Sequence, residues 1–261
     1  MNRLTQTISQ IGRKKMLIPF FTGGFPTRKA TVELIRAAVD AGSDVVEIGM
    51  PFSDPLADGP AIQHSSKVAL DNGTSLKTVL EIVAEVRKFS DVPLVLMGYF
   101  NPLLAMGESR FCRAARKAGA DGLIIPDLPI EEAEQFSTFA QKSGLSMIFL
   151  VAPTTSRERI TEIDFACDDL VYAVTVTGVT GTGKKFDENT ARYLRHLRRS
   201  LSKPFVAGFG VSSPETAVNM CRAADGVVIG SALVEIIQSA RNVAAAAKQV
   251  GRFLKSVRKS I

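Results

Sequence analysis

The chain has 261 residues, 46% apolar and 22% charged, enough for a sizeable core in one large domain or two small ones. No apolar run reaches the roughly 18 residues that a membrane span requires. The net charge of +6 is spread over short clusters such as Arg13-Lys14-Lys15, and with no Trp and three Tyr the chain lacks the aromatic-plus-basic surface that grips single-stranded nucleic acid. The basic clusters read as solvated helix faces.

Cys112, Cys167 and Cys221 are widely spaced and form no C-x-x-C, so neither a disulfide frame nor a zinc cluster is expected, and a reducing cytoplasm fits. The first 32 residues contain no acid, as in a transit peptide. Leu4, Ile8 and Ile11 nevertheless share one helical face, so residues 2–12 are expected to form a folded helix packed on the body.

From Met16 onward, short apolar, β-branched runs alternate with helical patterns. Strands are expected at 16–21, 45–49, 93–98, 122–126, 146–151, 169–175, 204–207 and 226–230. Helices fill the gaps, for example at 29–41, 75–89, 130–142, 188–201 and 214–223. Ala41-Gly42 and Ala118-Gly119 are helix stops, because glycine suits the left-handed residue that ends a helix. Strands alternating with helices, without a composition break, predict an α/β fold: a (β/α)8 TIM barrel with an additional N-terminal helix, one domain over 1–261. A doubly wound open sheet is disfavoured, since no strand-linked G-x-G-x-x-G opens a helix near the start.

In such a barrel the site lies at the C-terminal ends of the strands. The residues there are Thr22, Glu47, Tyr99, Asn101, Asp127, Pro153 to Thr155, Gly178 to Lys184, Gly208 to Gly210, and Gly230-Ser231. Glu47 ends a buried strand and opens a loop with three prolines and two glycines between Gly49 and Pro60, and Asp58 follows eleven residues after Glu47. That loop is built for fixed geometry. No lysine stands at a strand end, which argues against a Schiff-base aldolase. His64 and His196 are too isolated to serve as metal ligands, so no metal is expected. Carboxylate acid/base chemistry remains.

Gly208-Phe209-Gly210 and Gly230-Ser231 each lead from a strand into a helix start, the first with Ser213 as N-cap and Pro214 as first helical residue. Two adjacent glycine turns at helix N-termini predict a phosphate cradle. Gly178-Val179-Thr180-Gly181-Thr182-Gly183-Lys184 imitates a P-loop, but Lys185 stands where Ser or Thr would bind magnesium. A lid over bound ligand is the better reading.

In their order these residues resemble the tryptophan synthase alpha subunit family over nearly the whole chain. The resemblance is carried by Pro19-Phe20, the block from Glu47 to Gln63, Asp127-Leu128-Pro129, Ala152 to Ser156, Thr177 to Gly181, Gly208-Phe209-Gly210 and Gly230-Ser231-Ala232. It implies retro-aldol cleavage of indole-3-glycerol phosphate to indole and glyceraldehyde 3-phosphate, in the cytoplasm and without a cofactor in this chain. It also implies Glu47 as general acid/base and Asp58 as acceptor of the indole N–H. Phe20, Met97, Leu123 and Phe209 would wall the indole pocket, beside Tyr172. Gly181, Gly210, Gly230 and Ser231 would contact phosphate, and Thr180 would pair with Asp58 on lid closure. The implied partner is a beta subunit carrying pyridoxal phosphate, in an alpha2beta2 heterotetramer, docked on residues 51–60 and 101–104. Phe25, the stretch from Thr182 to Phe186, and Glu235 depart from the family pattern. They leave open a second reading, a weakly or non-catalytic subunit that mainly activates its partner allosterically.

Overall fold

The computed structural model describes residues 1–12, 14–175, 186–208 and 210–261. Thr180, Gly181 and Phe209 therefore lie outside the described residues. Among the described residues the strands are β1 Met16–Thr22, β2 Val46–Gly49, β3 Leu94–Met97, β4 Gly122–Ile124, β5 Ser146–Ile148, β6 Leu150–Val151, β7 Val171–Val174, β8 Phe205–Gly208 and β9 Gly226–Ile229. The helices are α1 Arg3–Gln10, α2 Arg28–Val39, α3 Pro60–Asp71, α4 Leu76–Arg87, α5 Phe100–Met106, α6 Glu108–Ala118, α7 Glu134–Lys142, α8 Arg157–Ala166, α9 Glu188–Ser200, α10 Pro214–Cys221, α11 Ser231–Ser239 and α12 Val243–Ser260.

All pairings are parallel, in the order β5-β4-β3-β2-β1-β9-β8-β7-β6. The two outer members are one expected strand, 146–151, interrupted at Phe149. The sheet thus returns on itself as an eight-stranded barrel ringed by helices, as the alternation predicted. Gly42 and Gly119 take the positive φ of helix stops, 89° and 109°. Thr27, Ser75, Ser156, Asp187 and Ser213 cap α2, α4, α8, α9 and α10 with their side chains. The helix expected at 130–142 starts instead at Glu134: residues 130–133 are held in turns, with Glu132 N–H on Pro129 and Ala133 N–H on Ile130. Glu131 there pairs with Arg159 of α8.

Register and the two-residue alternation of side chains carry one face around the sheet. Tyr172 lies beside Val206, Val206 beside Gly226, and Gly226 beside Met16. Two and four residues further along β1 come Ile18 and Phe20; Phe20 lies beside Glu47, Glu47 beside Val95 and Val95 beside Gly122. This is the inner face. Leu4, fully buried on α1, meets it from the strands' N-terminal end, where a Cβ on Gly122 would stand 3.1 Å from the leucine. Asn2 caps α1 and also donates to Asp121 O and Ser146 Oγ, fixing the helix as a plug.

The same end carries a fourfold clamp. Asp44, Asp121, Asp168 and Asp225 lie one to three residues before β2, β4, β7 and β9. Each donates its backbone N–H to the carbonyl of Leu17, Leu94, Met147 or Phe205 on the preceding barrel strand. Each carboxylate takes that same residue's N–H, at 2.9, 3.1, 2.7 and 3.0 Å. Asp121 is fully buried beneath Arg3, Arg87 and Arg116. The opposite end is left for chemistry.

Candidate active site

Glu47 sits on β2, inside the barrel and 1% exposed. Its Oε1 finds no hydrogen-bond partner among the described residues. A buried carboxyl with an unsatisfied oxygen is costly and points to a task other than stability. Desolvation, reinforced by the charge of Asp58, raises its pKa to about 8. At neutral pH it therefore holds a proton that an ordinary glutamate would have released.

Asp58 reaches toward the same space from the loop between β2 and α3, where its own N–H bonds to Pro55 O at 3.0 Å. Burial raises its pKa to about 6, opposed by a hydrogen bond from Tyr99. The Tyr99 hydroxyl donates to Asp58 Oδ2 at 3.2 Å and accepts from Ala57 N–H at 3.0 Å. Tyr172 on β7 is fully enclosed; desolvation, then the nearby charges of Glu47 and Asp58, push its phenol well above its ordinary range. Three groups expected at the site, Glu47, Asp58 and Tyr172, thus sense one another across the barrel mouth.

The packing around them depends on missing side chains. A Cβ on Gly49 would lie 2.5 Å from the Phe20 ring, and one on Gly208 would lie 2.2 Å from the Tyr172 hydroxyl. Each glycine therefore lets an aromatic ring approach the strand end closely. Phe20 and Met97 share the Glu47 face. Leu123 does not. It pairs with Leu96, which pairs with Ile48, and Ile48 points at α4, since both it and Val79 line the space beside Gly23. Leu123 is thus buried on the helix-facing side. Ile124, the register partner of Met97, occupies the inner face in its place.

At the last two turns, Gly210 has φ 85° ahead of α10, a conformation that glycine adopts freely. Gly230 is the N-cap of α11 and packs beside Phe20, 3.5 Å from where its Cβ would be. Leu233 and Val234 N–H bond to Gly230 O, so helix geometry leaves the amides of Ser231 and Ala232 ahead of the first intrahelical bonds. Such a turn suits an anion. Among the described residues, no three His, Cys, Asp or Glu side chains are grouped to hold a metal ion, and no helix is long and apolar enough to cross a membrane.

The model of the family described as tryptophan synthase alpha chain matches residues 7–260. The chain belongs to the tryptophan synthase alpha chain family. Its relatives include the tryptophan synthase alpha chains of Geobacter sulfurreducens, 41% identical with 100% of this chain and 99% of that one covered, and of Pelobacter propionicus, 43% identical with 100% and 98% covered. The crystal structure of the alpha chain from Legionella pneumophila superposes with a TM-score of 0.90 at 36% identity, covering 100% and 97%. A structure described as bearing on mutual activation of the tryptophan synthase a2b2 complex from Pyrococcus furiosus gives 0.87 at 36%, covering 94% and 98%.

In this alpha chain family member, the roles of two residues at the candidate site are not marked by the sequence. Tyr99 was visible on the rim, but its bond to Asp58 is made across 41 residues. Ile124 could be chosen over Leu123 only from inter-strand register, which a single sequence does not display. Of the departures, residues 182–185 lie outside the described residues. Phe25 is buried, edge-on to His64, and Glu235 is exposed on α11.

Proposed function

We propose that the chain cleaves indole-3-glycerol phosphate to indole and glyceraldehyde 3-phosphate by acid/base catalysis with its own carboxyl groups. The observation that carries this reading is the buried, proton-holding Glu47 opposite Asp58 on the inner face of the barrel. In the first step the Glu47 carboxyl gives its proton to indole C3, while the Asp58 carboxylate accepts the ring N–H and balances the positive charge that develops there. The Glu47 carboxylate so formed then takes the proton of the glycerol hydroxyl nearest the ring. The hydroxyl oxygen becomes the aldehyde oxygen, the C–C bond breaks, and its electrons restore the indole. Glu47 ends protonated, as it began. Each such proton transfer typically contributes about 10²–10⁴-fold.

Phe20, Met97 and Ile124 are suited to wall the indole, with Tyr172 beside it; Gly210, Gly230 and Ser231 are suited to hold the phosphate. Gly181 would join the phosphate contacts, Phe209 the indole wall, and Thr180 the closed lid. The chain needs no cofactor of its own in this scheme. Indole would pass to a beta subunit, which carries pyridoxal phosphate, in an alpha2beta2 assembly that makes tryptophan.

The chemistry asks for Asp58 ionised and Glu47 protonated. With pKa values near about 6 and about 8, activity is expected to rise through the lower value and fall through the upper. The test is indole release by the purified chain, with and without beta subunit, for the native protein and Glu47→Gln. Cleavage should vanish in the variant while substrate binding persists. Near-normal turnover in Glu47→Gln would remove the assignment.

A further inference from the structure

One hydrogen-bond path on the rim joins the turns that follow three successive barrel strands, β2, β3 and β4. Asp127, at the end of β4, is exposed, yet its carboxylate takes the backbone N–H of Phe100 at 2.9 and 3.2 Å. Phe100 is the first residue of α5, and Tyr99 is its N-cap with no side-chain cap of its own. The Tyr99 ring, 7% exposed, packs on Phe52 at 5.3 Å between centroids, and its hydroxyl joins Ala57 N–H to the Asp58 carboxylate. The loop bearing Asp58 is therefore gripped at three points by the turn after β3, which is itself tethered to the turn after β4.

We propose that Asp127 and Tyr99 are positioning residues for Asp58: Asp127 fixes the Tyr99 turn, and Tyr99 in turn holds the Asp58 carboxylate in place and in its ionised form. The proposal rests on the functional reading above and adds a path to it. A donor aimed at a carboxylate favours the charged state, and charge-assisted bonds are the stronger class. The titratable groups facing Asp58 among the described residues are Glu47 from β2, Tyr99 from the turn after β3 and Tyr172 from β7. Of these, Tyr99 donates to it directly. Burial disfavours ionisation of Asp58, and the Tyr99 hydroxyl works against it. Asp127 is exposed, and trimming its side chain opens no cavity in the core.

The experiment compares Tyr99→Phe, Asp127→Ala and Asp127→Asn with the native chain, using pH profiles of cleavage and carboxyl-carbon NMR titration of Asp58. In Tyr99→Phe the acid limb and the Asp58 titration should both move up by about one pH unit, lowering the rate about tenfold near pH 5 and less than about twofold near pH 8. Asp127→Ala should move both in the same direction by a smaller amount. Asp127→Asn, which keeps an oxygen to accept the Phe100 N–H, should restore the native profile. An unshifted titration in Tyr99→Phe overturns the proposal. A shift in Tyr99→Phe without one in Asp127→Ala overturns the role of Asp127. Glu47→Gln run in parallel separates the two levels: if it stays active, the functional reading fails; if it is dead while the other profiles are unchanged, the positioning path alone fails.

Discussion

Glu47 is the residue at which folding and chemistry conflict most openly. Between about pH 4.5, its ordinary value, and about 8, its value in the barrel, the native chain holds a proton that the unfolded chain has released. The native state binds more protons there, so stability falls as pH rises through that window and is unaffected below it. Glu47→Gln removes the conflict, since a neutral amide of the same shape needs no proton. The variant should be more stable than the native chain by about 3 kcal/mol at pH 7, with the gain disappearing near pH 4. Urea unfolding at the two pH values measures this, and equal differences at both would contradict the raised pKa. An inactive, stabilised variant is what a site held at the expense of stability should give. Gly208 makes the converse case. A methyl group there would meet the Tyr172 hydroxyl at 2.2 Å and its ring carbons at 2.4 and 2.5 Å. Gly208→Ala should cost about 1–3 kcal/mol by overpacking and push the ring toward the carboxylate pair. Thermal unfolding and indole release should both decline, and native values in either would argue that the ring moves freely.

At the scale of elements, the fourfold aspartate clamp accounts for how short strands of three or four residues hold register. Each clamp satisfies a strand-end N–H and ties one strand to the next. The four clamps should differ in worth according to burial. Asp121→Ala takes the carboxylate from Arg87, whose side chain is 11% exposed, and leaves a strand amide unpaired, so a loss of about 3–5 kcal/mol is expected. Asp225→Ala removes a partner from Arg198, which is 46% exposed, and should cost about 1–2 kcal/mol. Denaturant unfolding ranks them, and a reversed order would show that burial does not set the cost. These elements also mark what a lone sequence can and cannot tell. Strands buried on both faces read as apolar runs, and Ala-Gly before Ser43-Asp44 and before Ala120-Asp121 reads as a helix stop, because both signals are local. The partner of each aspartate, the inward phase of β4 and the early turns at 130–133 depend on contacts between distant segments. Leu123, which the resemblance assigns to the indole wall, therefore faces the helices, whereas Glu47 is marked locally by the loop chemistry that follows it.

Taken as a whole, the molecule separates its labour between two ends. The N-terminal end of the barrel is closed by α1 and the clamps, and the C-terminal end carries the carboxyl pair and its glycine turns. Beside that second end, Leu56 is 88% exposed and Leu104 is 55% exposed, on the loop after β2 and on α5. Large exposed apolar side chains on neighbouring rim segments suit a protein partner, and the proposed beta subunit is the natural occupant. Tyr99 joins these same two segments: its hydroxyl bonds to Ala57, next to Leu56, and it precedes the helix that bears Leu104. Pressure from a partner on either leucine would thus be transmitted to the turn that holds Asp58. Leu56→Asp together with Leu104→Asp should weaken binding to purified beta subunit at least tenfold, about 1.4 kcal/mol, as measured by titration calorimetry. Unfolding stability and cleavage by the isolated chain should stay near native, because both side chains already face water. The partner's stimulation of cleavage should fall at a given beta-subunit concentration and return at saturation. Native affinity in the double variant would place the docking surface elsewhere and break the link between partner binding and Asp58.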